Sequence, residues 1–515
     1  VSVLSVQRTR RACSRLLGLA LLLAGNRALA DSCARPTDPG GDHDYSYGAA
    51  EVKSFGTSTV RVWYVTDGVH AVNDESSRSD AVPDDVVLVA QVTSDALASY
   101  LDLGYRAPIS DSSNPECGDN GGDGRLDVYL VRMQGADGMT AIDLGRCTEL
   151  GGATRCASFI FAQANFAGQY ATASEGIRTV LPHELFHVLQ NAYDADLDRF
   201  WAEGTAQWAA KRVDPSLTDL ERYLPAFFAQ TSRALDAPAN GVTAAFLYGS
   251  AIWPVFLSQR HGAQIVRSIL EREAEAGGSS LASADAVLAD EQTSLAREFA
   301  LFSAWNAATG SRAGTGGYED AAKYPLVPLT ELGSAPIHDI SSGLASFFYR
   351  AQVSAPMRVT LETDSKRNTG TLVPFENGVA RVDRAMPLPA ELTAEGIVVV
   401  SGITSNKTDA PFTLSLTSLN DDSSAAALEQ SGCALVRKPS RAGPDAVTSL
   451  LLLLISISRR RRRVGQIRGD SAAATLSQSS SSLAIAASST LKSTGFVRWS
   501  AKPASLLART SSSVP

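Results

Sequence analysis

The sequence predicts an α+β fold followed by a second, all-β domain, and three observations predict it. Up to about residue 180, short β-branched runs interleave with helically spaced apolar residues. A region of mostly helical spacing follows. From Leu326 the texture changes to short alternating runs divided by turn residues, the pattern of a β-sandwich of about a hundred residues.

Each element follows from its own pattern. Residues 31–49 are a polar, Gly/Pro-rich lead-in. Val60 to Val65 alternates and is β-branched, so it reads as a strand. Asp84 to Leu103 has helical spacing. Leu126 to Val131 and Ser158 to Phe161 read as further strands. Thr179 to Ala192 reads as a helix with Leu181, Leu185, Val188 and Leu189 on its core face. Pro182 requires that helix to begin close by or to bend. Trp201 to Val213 reads as the next helix, and its small residues Gly204, Ala206 and Ala209 suit a close approach to the one before. Ala244 to Gln259 is a strongly apolar helical stretch. In the second domain, 326–418, the strands are Ser346–Tyr349, Met357–Leu361, Gly396–Val400 and Phe412–Leu416.

Charge excludes one class of function. The chain carries a formal net charge of −8, distributed unevenly. Residues 31–433 hold 28 basic and 52 acidic residues, a net of −24. An acidic body argues against nucleic-acid binding and suits a secreted protein that attracts divalent cations.

The N-terminus reads as an export signal. Arg8, Arg10, Arg11 and Arg15 precede an apolar run, Leu16 to Ala24, and Ala28-Leu29-Ala30 offers a small-residue cleavage site. Cysteine usage agrees. With Cys13 in the leader and Cys433 near the other end, Cys33, Cys117, Cys147 and Cys156 remain. An even number in an exported chain implies two disulfides, and three pairings exist. Cys147–Cys156 closes a short Gly-containing loop and is favoured, which leaves Cys33–Cys117. A Cys-ligated zinc is the alternative, weakened by the absence of any C-x-x-C pair.

The chemistry concentrates in His183-Glu184-Leu185-Phe186-His187, in a chain with only six histidines. Residues four apart share a helix face, so His183 and His187 can offer two imidazoles to one metal ion. Glu184 lies beside them, placed to take a proton from water at that metal. Phe186 either flanks the site or is buried in the core. A catalytic zinc usually takes a third protein ligand. Glu203 is the best candidate, since an acidic turn, Asp194 to Asp198, can reverse the chain before it. Asp194, Asp196 and Asp198 compete, but follow His187 too closely to fold back with ease. His43, His70 and His338 lie in polar surroundings and are expected to have no catalytic part.

HELFH followed by Trp201-Ala202-Glu203-Gly204-Thr205-Ala206-Gln207-Trp208 resembles the gluzincin branch of zinc metallopeptidases. More narrowly, it is similar to a group of secreted metalloproteases from myxobacteria and their relatives. Leu103 to Pro108, Gly121 to Leu130 and Trp305 to Gly310 resemble that group too. The resemblance covers about residues 50–325 and implies a zincin-like catalytic domain: a small sheet, the HExxH helix and a helical subdomain. It implies that His183, His187 and Glu203 bind zinc, that Glu184 is the general base, and that the substrate is a protein or peptide. It also implies a Tyr or His beyond the third ligand that stabilises the oxyanion; Tyr248 is the candidate and His261 the outsider, and a satisfied core tyrosine is the competing reading of Tyr248.

Gly432-Cys433, a polar spacer, the apolar run Leu450 to Ile455 and Arg459 to Arg463 resemble a myxobacterial C-terminal sorting tail. That likeness implies processing at Cys433 by export and sorting machinery, a secreted or cell-surface protein, and membrane contact only through the tail. Residues 419–445 are then the linker, 446–463 the apolar segment with its Arg cluster, and 464–515 a Ser/Ala-rich disordered tail.

Two further readings stay open. Asp119, Asp123 and Asp127 recur at four-residue spacing among glycines, like a calcium-binding loop without the terminal Glu of an EF-hand; a tight turn entering a strand is the alternative. The rival to an enzyme is a surface binding protein that works through its β-sandwich, with a structural or vestigial zinc site.

Overall fold

Alternation along single strands builds the first sheet. The computed structural model describes residues 34–38, 40–112, 121–166 and 170–419. The predicted leader, Cys33, Cys117, Asp119, Cys433 and everything assigned beyond residue 419 lie outside them. The first sheet holds β1 (Lys53–Gly56), β2 (Val60–Tyr64), β3 (Leu126–Val131), β4 (Gly138–Leu150) and β5 (Ala153–Gln163), in the order β1-β2-β3-β5-β4. The pairs β2·β3 and β3·β5 are parallel, while β1 and β4 are antiparallel edges. Helix α1 (Asp84–Asp102) supplies the crossover that a parallel β2·β3 pair needs.

Leu126, Val128, Leu130, Ile160 and Ala162 face the helices. Tyr129, Val131, Phe159 and Phe161 face the other way. The expected lead-in covers that second face. Arg35 is buried, donates to Asp143 at 3.0 Å and lies 3.8 Å over the Phe159 ring. The Tyr47 hydroxyl lies 3.0 Å from the Leu130 carbonyl oxygen.

Helix α2 (Ala173–Asn191) starts earlier than its pattern predicts, and Pro182 stands in its interior. The predicted start at Thr179 is therefore corrected to Ala173, which places Pro182 in the helix interior and not near its beginning. Thr172 caps the true start, accepting from the Glu175 amide at 3.1 Å. Burial of Ile177, Val180 and Leu181 holds the helix on the sheet despite the proline's missing donor. Tyr100 of α1 also donates to the Pro182 carbonyl at 3.0 Å.

Six shorter helices and one further long one follow: α3 (Arg199–Val213), α4 (Asp219–Phe228), α5 (Ala245–Gly249), α6 (Ile252–His261), α7 (Gln264–Ala276), α8 (Ser280–Asp290) and α9 (Leu295–Ala307). The apolar helical stretch expected over 244–259 is two helices, α5 and α6, divided at Ser250. Its hydroxyl lies 2.8 Å from the Phe200 carbonyl of α3. Gly204 makes that contact possible, since a Cβ there would meet Ser250 Oγ at 2.8 Å. Its smallness thus serves α3 against the α5–α6 corner, not the approach to α2.

The C-terminal part forms two sheets. One runs β11 (Val379–Ala380), β10 (Asn368–Glu376), β14 (Glu395–Gly402), β8 (Ser346–Gln352), β6 (Thr330–Leu332), with β12 (Met386–Pro387) on β10. The other runs β13 (Ala390–Leu392), β9 (Met357–Thr363), β15 (Ala410–Ser418), β7 (Ile337–Ser341). Tyr349, Leu372, Val398 and Val400 of the first share a core with Val359, Phe412 and Leu414 of the second. Phe348, Val373, Ile397 and Val399 face the other way and join the core of the helices. The observed class is mixed α and β, as predicted.

One buried corner steadies the start of α3. Glu273 of α7 is 1% exposed, and burial pushes its carboxyl up to about 8 despite the Ser280 hydroxyl at 3.0 Å. Asp198, just before α3, accepts from the Ser280 amide at 2.9 Å. The folded chain thus keeps a proton that Glu273, at its ordinary value of 4.5, releases on unfolding. Stability should fall as pH rises from about 4.5 to about 8. Glu273→Gln should flatten that slope, as read by urea midpoints at pH 5 and pH 8.

Candidate metal centre

Helix α2 presents His183 and His187 one turn apart, and α3 brings Glu203 against them. His183 Nε2 and His187 Nε2 are 3.2 Å apart, and Glu203 Oε2 lies 3.3 Å and 3.5 Å from them. A four-coordinate ion with ligands at about 2.0–2.1 Å separates its donors by about 3.3 Å. The triangle therefore has the right size for three corners of a tetrahedral site. All three residues are 0–1% exposed. Among the described residues, this is the group of three ligand-type side chains that can hold a metal ion.

Electrostatics agrees with the geometry. Burial pushes the Glu203 carboxyl up, but the two imidazoles outweigh it and hold the group well below the usual carboxylate range. Burial opposes charge on His187, and Glu203 reverses that and raises its pKa. A buried carboxylate between two imidazoles demands positive charge, which a cation supplies.

Glu184 is 1% exposed and stands outside the triad. The Thr140 hydroxyl of edge strand β4 lies 2.9 Å from its Oε2 and 2.8 Å from its backbone oxygen. Gly138 lets β4 come this close, since a Cβ there would meet Glu184 Cγ at 2.7 Å. The Tyr248 ring lies 5.9 Å from the His183 ring and stacks on Tyr223 at 4.9 Å. Burial raises the Tyr223 hydroxyl, with the charges of Asp219, Asp137 and Glu203 adding to it. A cleft of about 170 Å³, lined by Tyr170, Thr179, Asp219 and Arg222, lies one turn before His183 on α2.

Other candidates have different partners. His261 Nε2 lies 3.4 Å from Glu298. His43 pairs with Asp42, the backbone amide of Arg132 donates to His70, and His338 contacts Thr413. Asp194 accepts from the Thr154 and Asp196 amides, and Asp196 from the Thr154 hydroxyl. Phe186 is core, edge-on to Tyr100 and Tyr105. Cys147 and Cys156 form a disulfide across directly paired positions of β4 and β5. Asp123 is held by Arg61 and Arg125, and Asp127 accepts from the Trp63 indole at 2.8 Å. Those partners use the two carboxylates as a tight turn into β3 would.

Three neighbours of the site escaped the sequence reading. Gln190 contacts His187 and was visible as the next residue along the metal-facing side of α2. Thr140 and Tyr223 carried no signal, because strand β4 and helix α4 were not recognised.

No protein-family model matches the chain, and no curated protein matches it. Among solved structures, it is similar to periplasmic inhibitors of g-type lysozyme from Salmonella Typhimurium and Aeromonas hydrophila, at 14% and 15% identity. A mutant of the Escherichia coli inhibitor is 12% identical. These alignments cover 17% of this chain and 96–98% of those chains, with TM-scores of 0.14, which carry no argument about fold or function.

The purified protein should hold one divalent ion per chain. His183→Ala and His187→Ala should each weaken binding by at least about 100-fold. Elemental analysis after dialysis reads this directly; wild-type binding by His187→Ala would remove the triad as the site.

Proposed function

We propose that this chain is a zinc-dependent endopeptidase that is exported and acts outside the cell or at its surface. The carrying observation is Glu184, a buried carboxylate next to a His₂Glu triad that does not need it as a ligand. Two imidazoles and a carboxylate suit zinc and leave a fourth position open. When bound, zinc supplies Lewis-acid chemistry and makes water acidic near neutral pH.

The chain's own residues supply the rest. Glu184 takes the proton of the attacking water and returns it to the leaving amine. The Thr140 hydroxyl orients its carboxylate. Tyr248, beside His183, donates to the developing oxyanion. Strand β4 is the sheet edge that carries Thr140, so an extended peptide laid along it would bring a carbonyl near Glu184. The reading takes the first sheet and its helices as a zincin-like catalytic domain and the C-terminal sheets as a β-sandwich. The Cys147–Cys156 disulfide suits an exported chain.

Burial of all three donors favours a second reading, a closed structural metal in a surface binding protein. Glu184→Gln separates the two. It should keep the metal and lose about 10²–10⁴-fold in chelator-sensitive hydrolysis of a generic protein substrate. Tyr248→Phe should lower kcat by about 10²-fold with little change in KM. A wild-type protein that binds the metal and cleaves nothing would move the assignment to the second reading.

A further inference from the structure

The Ala202 carbonyl settles which way the Gln190 amide points. Gln190 is 0% exposed, and its Nε2 lies 2.9 Å from that oxygen, which can only accept. Nε2 also lies 2.7 Å from Thr205 Oγ1, whose own proton goes to the Trp201 carbonyl at 2.7 Å. Oε1 therefore turns to His187 Nδ1, 2.7 Å away. The reversed amide would set its oxygen against the Ala202 carbonyl oxygen at a fully buried site.

An amide oxygen only accepts, so His187 Nδ1 carries a proton. In a neutral imidazole the lone pair then sits on Nε2, the atom facing His183 and Glu203. The same amide reaches Ala202 and Thr205 on α3, one on each side of Glu203 in the sequence.

We propose that Gln190 is the positioning residue of the metal site. One amide sets the His187 tautomer and pins the turn of α3 that contains Glu203. The proposal rests on the metal reading of the triad and is independent of whether the chain cleaves peptides.

Three measurements on the full chain test it: zinc affinity by chelator competition, the visible spectrum with cobalt, and the His187 Nδ1 proton by NMR in the zinc-loaded form. Gln190→Leu should weaken zinc binding by about 10–100-fold, alter the cobalt spectrum and lose the protected Nδ1 proton. Gln190→Glu keeps an acceptor for His187 but loses the donor to Ala202. It should recover most of the affinity while lowering the melting temperature of the metal-free protein. Wild-type affinity in Gln190→Leu would overturn the proposal. If Gln190→Leu does not fold, the glutamate variant decides: a shifted His187 Nδ1 proton resonance, as the acceptor changes from amide to carboxylate, supports the proposal, and an unshifted one overturns it. A wild-type chain that binds neither zinc nor cobalt would remove the metal reading, and this assignment with it.

Discussion

A carboxylate buried between two imidazoles is the constraint on which the rest depends. Glu203 is 0% exposed, and an isolated charge there would cost several kcal/mol in lost hydration. The helices answer by holding donors in fixed places. Gln190 ties α2 to α3, and Gly204 lets α3 close on Ser250. Each contact narrows the freedom of the three donor atoms, which is what a site selective for one coordination geometry requires.

Under the proposed peptidase reading, Glu184 is the residue that separates a working ion from a held one. It shares the helix with the two histidines but turns toward β4 instead of joining them. Thr140 and Gly138 make that orientation possible, one by hydrogen bonding and the other by having no side chain. The edge strand is thus part of the site's structure, although none of its residues belongs to the triad.

The two C-terminal sheets also bear on the helices. The change of texture at Leu326 is real in the sense that strands replace helices there. Hydrophobic packing does not stop at that boundary, because Phe348, Val373 and Ile397 belong to the same core as Phe299 and Phe302. Ser303 of α9 meets Ser346 of β8 at 2.7 Å. Strand β14 is buried along nearly its whole length because it has helices on one face and the second sheet on the other.

Sequence alone determined the mixed α and β class and the His183–His187 pair, because local periodicity dictates which residues share a face, and the choice of Glu203, because an acidic turn can reverse the chain before it. It also determined the Cys147–Cys156 bridge, through the shortness of the loop. It misplaced the start of α2, since a proline's local cost is weighed there against burial that only the packed sheet supplies. Strands β4 and β10 went unread, and with β4 went Thr140. Only the tertiary structure decided that Glu184 faces an edge strand, that Tyr223 stacks on Tyr248, and that Gln190 holds both His187 and α3. Those contacts join elements far apart in the chain, and no local pattern encodes a distance that exists only after the helices have packed.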